Sequence, residues 1–274
     1  MGVLYAEVIG DPIAHSKSPL IHNFWLEKLG IDAEYRACRV RADELGAYFA
    51  QRRGDAEWRG CNVTMPHKRS VAVFADAIDP IVREIGASNC LYIGADGLRA
   101  TNTDGAGVLA AMPVVSPPIC VIGSGGAARM AVAMIDPIHS HGLRLLVRDR
   151  QRGKAMLADL GRVGTVFDLV QSRDAMSGCG GVVNATPLGM AGQEPMPKEI
   201  LDAVALTEPD AFVFDMVYEP LETQLLARAR SLGRSPRDGL VMLIGQAASA
   251  FEHFFRCPAP REHDAELRAM LSAC

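Results

Sequence analysis

From Ile119 to Val147 the chain spells out a strand, a glycine-rich turn, a helix and a second strand, and that order leaves few folds open. The turn is Val121-Ile-Gly-Ser-Gly-Gly-Ala-Ala128, a G-x-G-x-x-A pattern on Gly123, Gly125 and Ala128. It follows the short apolar run Ile119–Ile122 and opens a helical pattern over Met130–Ile135, and Leu143–Val147 reads as the next strand. Gly123 permits the tight turn, Gly125 lets the backbone approach a pyrophosphate, and Ala128 keeps helix and strand close. The helix N-terminus that follows supplies amides and a dipole that favour a phosphate. A glycine-rich turn without a ligand is the alternative, and the strand-turn-helix-strand context argues against it.

The rest of the chain alternates in the same way. Leu4–Ile9, Ala33–Arg39 and Cys61–Thr64 read as strands, with helices over Pro19–Leu29, over Ala42–Gln51 and after Pro66. Cys90–Ile93 and Leu98–Ala100 flank Gly94-Ala-Asp-Gly97, a hairpin signal. Further strands are expected at Gly181–Asn184 and Phe212–Asp215, and helices at Glu222–Leu232, Leu240–Phe255 and Glu262–Leu271. Strands separated by helices mean βαβ units and a mostly parallel sheet, an α/β fold. One domain is placed at about 1–104 and a second at about 105–235, with Pro117-Pro118 as linker. The last helices, in 236–274, have no strand to pair with and are expected to return to the first domain.

Composition narrows the class of ligand. With 49% apolar and 22% charged residues the chain can bury a sizeable core. A net charge of −4 without acidic or basic blocks argues against nucleic acid and against an anionic membrane surface. No apolar run reaches the roughly 18 residues of a membrane helix. The start, MGVLYAEVIG, lacks the basic region of a secretory signal. The seven cysteines are scattered without a C-x-x-C pair, so neither a metal site nor a disulfide framework is expected. A reducing, cytoplasmic setting fits. His139 and His141 receive no role, and Trp25 and Trp58 read as packing residues.

Four patches in the first domain carry chemistry. Ser18 before Pro19 is a good N-cap, and Ser16 adds a second hydroxyl at a helix start, where together they could hold a carboxylate. Lys68, two residues after Pro66, falls in the first turn of the expected helix, where it opposes the dipole. Kept there, it suits proton transfer or a developing oxyanion, and a solvated surface lysine is the alternative. Asn89, just before the hairpin, is by itself a turn former. Asp104 either caps the next helix or partners Lys68. At the end of the second-domain strand, Arg148-Asp149-Arg150 mixes two signals. A carboxylate suits the ribose of NAD, an arginine suits the 2′-phosphate of NADP, and the arginines at 148, 150 and 152 tilt the reading to NADP with NAD still open.

With these patches quoted, the chain resembles the shikimate dehydrogenase family. The matching stretches are VIGDPIAHSKSPLIHN (8–23), GCNVTMPHK (60–68), IGASN (85–89), NTDGAG (102–107), VIGSGGAAR (121–129), VNATPLGM (183–190), DMVYEPLETQLL (215–226) and GLVMLIGQAASAF (239–251). The resemblance implies a substrate-binding domain completed by the C-terminal helices, and a Rossmann-type dinucleotide-binding domain. It implies Lys68 and Asp104 as the catalytic pair, and Ser16 and Ser18 as carboxylate ligands. Thr64, Asn89 and Gln246 would bind ring hydroxyls, and Tyr218 would lie near substrate. Gly123, Gly125, Gly126, Ala127, Ala128, Asp149, Arg150, Asn184, Thr186, Met190 and Gly239 would fall on the cofactor side. The implied reaction is reversible NADPH-dependent reduction of 3-dehydroshikimate to shikimate in aromatic amino acid (chorismate) biosynthesis, by a monomer or homodimer without a metal. An NAD-using quinate/shikimate dehydrogenase and a non-catalytic relative are the alternatives. Two departures stand out: Cys90 where the family has threonine, expected to alter ring contacts near Asn89, and Asp149-Arg150-Gln151 where NADP-using members read Asn-Arg-Thr/Ser.

Overall fold

The structure, a computed structural model, describes residues 2–113, 118–135 and 142–273. Pro117 of the expected linker, His139, His141 and Cys274 lie outside the described residues. The chain divides into two compact units, Met1–Asp104 with Ile244–Cys274, and Gly105–Leu243.

The first unit runs β1 (Leu4–Gly10), α1 (Ser18–Leu29), β2 (Ala33–Arg39), α2 (Leu45–Arg53), β3 (Trp58–Val63), β4 (Ala77–Ile78), α3 (Pro80–Ile85), β5 (Cys90–Gly94) and β6 (Gly97–Thr101), and closes at Asp104, the first residue of α4 (Asp104–Ala111). Its six strands lie in the order β2-β1-β3-β5-β6-β4. β1 is parallel to β2 and β3, whereas β5 is antiparallel to both β3 and β6, so this sheet is mixed. β5 enters the sheet against β3, and the Gly94-Ala-Asp-Gly97 hairpin, whose glycines pair across the turn, reverses the chain again into β6. Leu91, Trp58 and Phe49 fill the core with side chains almost fully buried, and Trp25 is equally enclosed. Glu7 interrupts the apolar run of β1 and is only 2% exposed. Arg52 grips it with two hydrogen bonds of 2.8 and 3.0 Å, and the Tyr48 hydroxyl donates a third at 2.8 Å, so the buried carboxylate is fully partnered.

The helix expected after Pro66 is not there. His67–Arg69 and Val71–Phe74 form two short 3₁₀ turns instead. The hydrogen bonds here run from a residue to the third before it, as from the Ser70 N–H to the His67 carbonyl and from the Ala75 N–H to the Ala72 carbonyl, which is 3₁₀ rather than α geometry.

The second unit continues with β7 (Ile119–Ile122), α5 (Gly126–Met134), β8 (Leu143–Val147), α6 (Arg150–Asp159), β9 (Thr165–Asp168), α7 (Ser172–Met176), β10 (Gly181–Asn184), α8 (Lys198–Ala203), β11 (Phe212–Asp215), α9 (Gln224–Ser231) and β12 (Ser235–Arg237). The strands are all parallel, in the order β12-β11-β10-β7-β8-β9. Counted from β7, this is the doubly wound arrangement in which the strand order reverses between the first strand and the fourth. Runs such as Ile119–Ile122 and Phe212–Asp215 are buried along their whole length, as strands covered on both faces must be. The unit reaches Leu243 rather than ending near 235 because β12 adds a sixth strand at the sheet edge. Pro236 sits in the middle of β12, which an edge strand tolerates. The long helix α10 (Gly239–Phe255) and α11 (Asp264–Ala273) follow, and from Ile244 onward they belong to the first unit.

Candidate active site

In the first unit a 3₁₀ turn, a strand end and a helix start meet. His67, 1% exposed, anchors the turn through a 2.6 Å hydrogen bond between its Nε2 and the Val40 carbonyl. The Ser88 N–H donates to the Lys68 carbonyl at 2.7 Å, which ties the same turn to the segment before β5. Lys68 thus has a fixed backbone, although a three-residue 3₁₀ turn supplies no macrodipole for it to oppose. Its Nζ donates to Asp104 Oδ2 at 2.6 Å. Asp104 does not cap α4: Asn102 Oδ1 accepts the Asp104 N–H at 3.1 Å, which leaves the carboxylate to Lys68 and to Asn89, whose Nδ2 donates to Oδ1 at 2.8 Å. Lys68 remains about one-third exposed and Asp104 one-fifth, so the pair is held yet open to a ligand.

Two residues that the sequence did not single out complete the network. The Thr103 N–H donates to Asn89 Oδ1 at 2.7 Å, and the Thr103 hydroxyl reaches Gln246 Oε1 at 3.5 Å. Asn62 is 6% exposed, accepts from the Tyr35 hydroxyl at 2.6 Å and donates to the Asn89 carbonyl at 3.2 Å. The only sequence signal for either was its place inside a patch already noted. Ser16, Ser18 and Thr64 are not part of this hydrogen-bonded group among the described residues. Ser18 is the first residue of α1 rather than its cap; Lys17 takes that position without a capping side chain, and Ser16 Oγ accepts the Ser18 N–H at 3.3 Å. Both serines and Thr64 are half-buried. Cys90 is fully buried among Ala6, Val8, Ile13, Tyr35, Ala250 and Phe254. Its thiol is therefore a packing group, and burial pushes it well up from its ordinary range.

In the second unit a cavity of about 520 Å³ opens at the ends of β7, β8 and β10. Gly123, Ser124 and Gly125 form one wall, Arg148, Asp149 and Arg152 another, and Ala185–Leu188 a third. Gly123 has φ +114°, and a Cβ there would stand 2.9 Å from Thr186 Cγ2, so both backbone and space demand glycine. A Cβ on Gly125 or Gly126 would meet nothing within 4 Å, and Gly125 is the N-cap of α5. The turn is therefore open toward the cavity where the α5 amides emerge. Volume, amides and cations fit a dinucleotide phosphate chain.

The other cofactor-side residues are placed unevenly. Ala128 is buried, and Ala127 is exposed at the start of α5. Asp149 caps α6: Oδ1 accepts the N–H of Gln151 at 2.9 Å and of Arg152 at 3.1 Å. Arg150, the first residue of α6, is exposed and is not in the cavity wall, whereas Arg148 and Arg152 are. Asn184 is fully buried behind the wall, and its Oδ1 accepts the Thr186 hydroxyl at 2.6 Å. Met190 also lies off the wall, and Tyr218 is half-buried just beyond β11. Gly239 packs tightly: a Cβ would stand 2.4 Å from the Met216 carbonyl oxygen.

A family model described as the shikimate dehydrogenase substrate binding domain matches residues 8–91. A shikimate dehydrogenase (NADP(+)) from Sphingopyxis alaskensis is 48% identical over 273 residues, which is 98% of this chain and 97% of that protein. The chain belongs to the shikimate dehydrogenase family. Two solved family members show the same architecture. The Listeria monocytogenes shikimate 5-dehydrogenase, in complex with shikimate and NAD, is 26% identical with a TM-score of 0.85, covering 98% of this chain and 96% of that one. The Thermus thermophilus enzyme, in complex with NADP(H) and shikimate, is 30% identical with a TM-score of 0.81, covering 97% and 99%. Among the described residues of this shikimate dehydrogenase family member, no helix is long and apolar enough to cross a membrane.

Proposed function

We propose that this protein is an NADP-dependent shikimate dehydrogenase that reversibly reduces 3-dehydroshikimate to shikimate in the cytoplasm. The observation that carries the reading is Lys68 Nζ held 2.6 Å from Asp104 Oδ2, with Asn89 on the other carboxylate oxygen. The dinucleotide, when bound, supplies a hydride for the ketone carbon. An ammonium is a donor with no acceptor capacity, so Lys68 presents a proton to the ketone oxygen and stabilises the negative charge that develops there. Asp104 restricts the lysine side chain to one direction, and Asn89 in turn fixes Asp104. Asn89, Thr64 and Gln246 offer hydrogen bonds to ring hydroxyls, and Ser16 and Ser18 offer hydroxyls to the carboxylate. In the second unit, Gly123, Gly125, Gly126, Ala127 and Ala128 form the diphosphate turn, and Thr186 borders it.

Arg148 and Arg152 in the cavity wall support NADP over NAD. Asp149 favours the second reading, NAD use, because one of its oxygens is left over after capping. Initial rates with shikimate and quinate, each offered NADP and NAD, test both. Activity centred on shikimate with NADP is expected. Equal or faster rates with NAD or quinate would move the protein to the quinate/shikimate branch. Folded, dinucleotide-binding protein with no activity in any combination would overturn the catalytic assignment.

A further inference from the structure

Asp215 ends β11 as a fully buried carboxylate, and among the described residues it has no ion pair. An uncompensated buried charge is costly unless several donors meet it. Three do. Asn184 Nδ2 donates to Oδ1 at 2.8 Å, the Val217 N–H donates to the same oxygen at 3.1 Å, and the Thr223 hydroxyl donates to Oδ2 at 2.7 Å. Burial pushes the carboxyl up from its ordinary range, and these donors oppose that push.

The donors belong to a longer chain with one direction. The Leu226 N–H donates to Thr223 Oγ1, whose own hydrogen goes to Asp215. On the other side, the Leu188 N–H donates to Thr186 Oγ1 at 3.2 Å, the Thr186 hydroxyl donates to Asn184 Oδ1 at 2.6 Å, and Asn184 Nδ2 donates to Asp215. Along this path each hydrogen points toward Asp215, and the second Nδ2 hydrogen of Asn184 goes to the Leu188 carbonyl at 3.4 Å, a further tie to the same turn. A carboxylate is the side chain that can end such a chain, because it only accepts. It also decides which way the Asn184 amide faces: Nδ2 must turn to Asp215, so Oδ1 must turn to Thr186.

We infer that Asp215 is a positioning residue for the dinucleotide site, acting through Asn184 to hold the 184–188 turn against Gly123. Thr186 Cγ2, on this hydrogen-bonded chain, lies 2.9 Å from where a Cβ of Gly123 would be, so a shift of this turn changes the cavity wall directly. The inference rests on the reading of this cavity as the dinucleotide site.

The test compares Asp215→Asn, Thr223→Val and the exchange Asn184→Asp/Asp215→Asn with the wild type, using calorimetric titration of NADPH and of shikimate together with steady-state kinetics. Asp215→Asn adds a donor where three hydrogens already converge, and it should weaken NADPH binding by about tenfold while shikimate affinity stays within about twofold. Thr223→Val, which cuts the chain outside the cavity wall, should weaken NADPH binding by roughly threefold. The exchange restores one amide-to-carboxylate bond and should recover most of the loss seen with Asp215→Asn alone. NADPH affinity unchanged in Asp215→Asn, or in Thr223→Val if the first variant does not fold, would overturn the inference. A parallel loss of shikimate affinity would also overturn it, because that is the mark of a merely structural residue. A wild-type protein that binds no NADPH would sink the functional reading itself, and this inference with it.

Discussion

Lys68 and His22 are both basic side chains of the first unit, and their surroundings put them to opposite uses. Lys68 keeps part of its surface in solvent and meets a carboxylate at 2.6 Å. If its value lies in the transition state, Lys68→Ala should lower kcat by about 10²- to 10⁴-fold, with the shikimate KM within a few fold. A KM that rises as steeply as kcat falls would make it a ground-state ligand instead. His22 is fully buried, stacked on Tyr35 at 4.0 Å between ring centres, and neither ring nitrogen has a hydrogen-bond partner among the described residues. Burial pushes its pKa down to about 3. The unfolded chain takes up a proton near pH 6.5 that the folded protein refuses until about pH 3, so this residue costs stability as pH falls through that window and nothing above it. The slope attributable to it approaches about 1.4 kcal/mol per pH unit well below pH 6. His22→Phe should flatten the acid side of a melting-temperature profile between pH 6.5 and 4, and an unchanged profile would assign the loss to other groups.

At the scale of elements, the two ends of β8 show what local sequence can and cannot carry. Leu143–Val147 is apolar and buried except at half-buried Arg144, and its limits are legible because burial sets them. Beyond it, three arginines look alike in the sequence, and only the path of α6 separates them: Arg148 and Arg152 reach the cavity and Arg150 does not. Arg152→Ala should therefore raise the KM for NADP by about tenfold and that for NAD by less than twofold, with Arg150→Ala the milder of the two. The reverse ranking in steady-state kinetics would return the 2′-phosphate to Arg150. The edge strands β9 and β12 went unread for a related reason. They are short and carry Asp168 and Pro236, so neither periodicity nor composition marks them. Lys68 drew notice in the sequence for opposing a helix dipole, and that signal rested on a helix the structure replaces with a 3₁₀ turn. Local sequence says least about a residue whose partners lie far along the chain. Asp215 looks like an ordinary strand end until Asn184 and Thr223 are beside it, and Thr103 gains meaning only from Asn89 and Gln246.

At the scale of the molecule, the chain assigns its two chemistries to separate compact units. Ligands should report on them separately. NADPH alone should slow hydrogen exchange in segments around 121–128 and 185–188, and shikimate alone in segments around 62–68 and 101–104. NADPH protection centred on 62–104 would relocate the dinucleotide site. At a hundredfold excess over its Kd, either ligand should add about 2.7 kcal/mol to the stability of the state that binds it. The outer border of the second sheet has a separate consequence. In β12 the Ser235 N–H turns inward to the Ala211 carbonyl, so the next residue, Pro236, faces outward, and it brings a ring where a partner would look for a donor. A second copy trying to extend the sheet past β12 would find three residues and no amide at their centre. Polymerisation by strand addition is closed on that side, and a partly unfolded chain in a crowded solution has to find another edge to stick to.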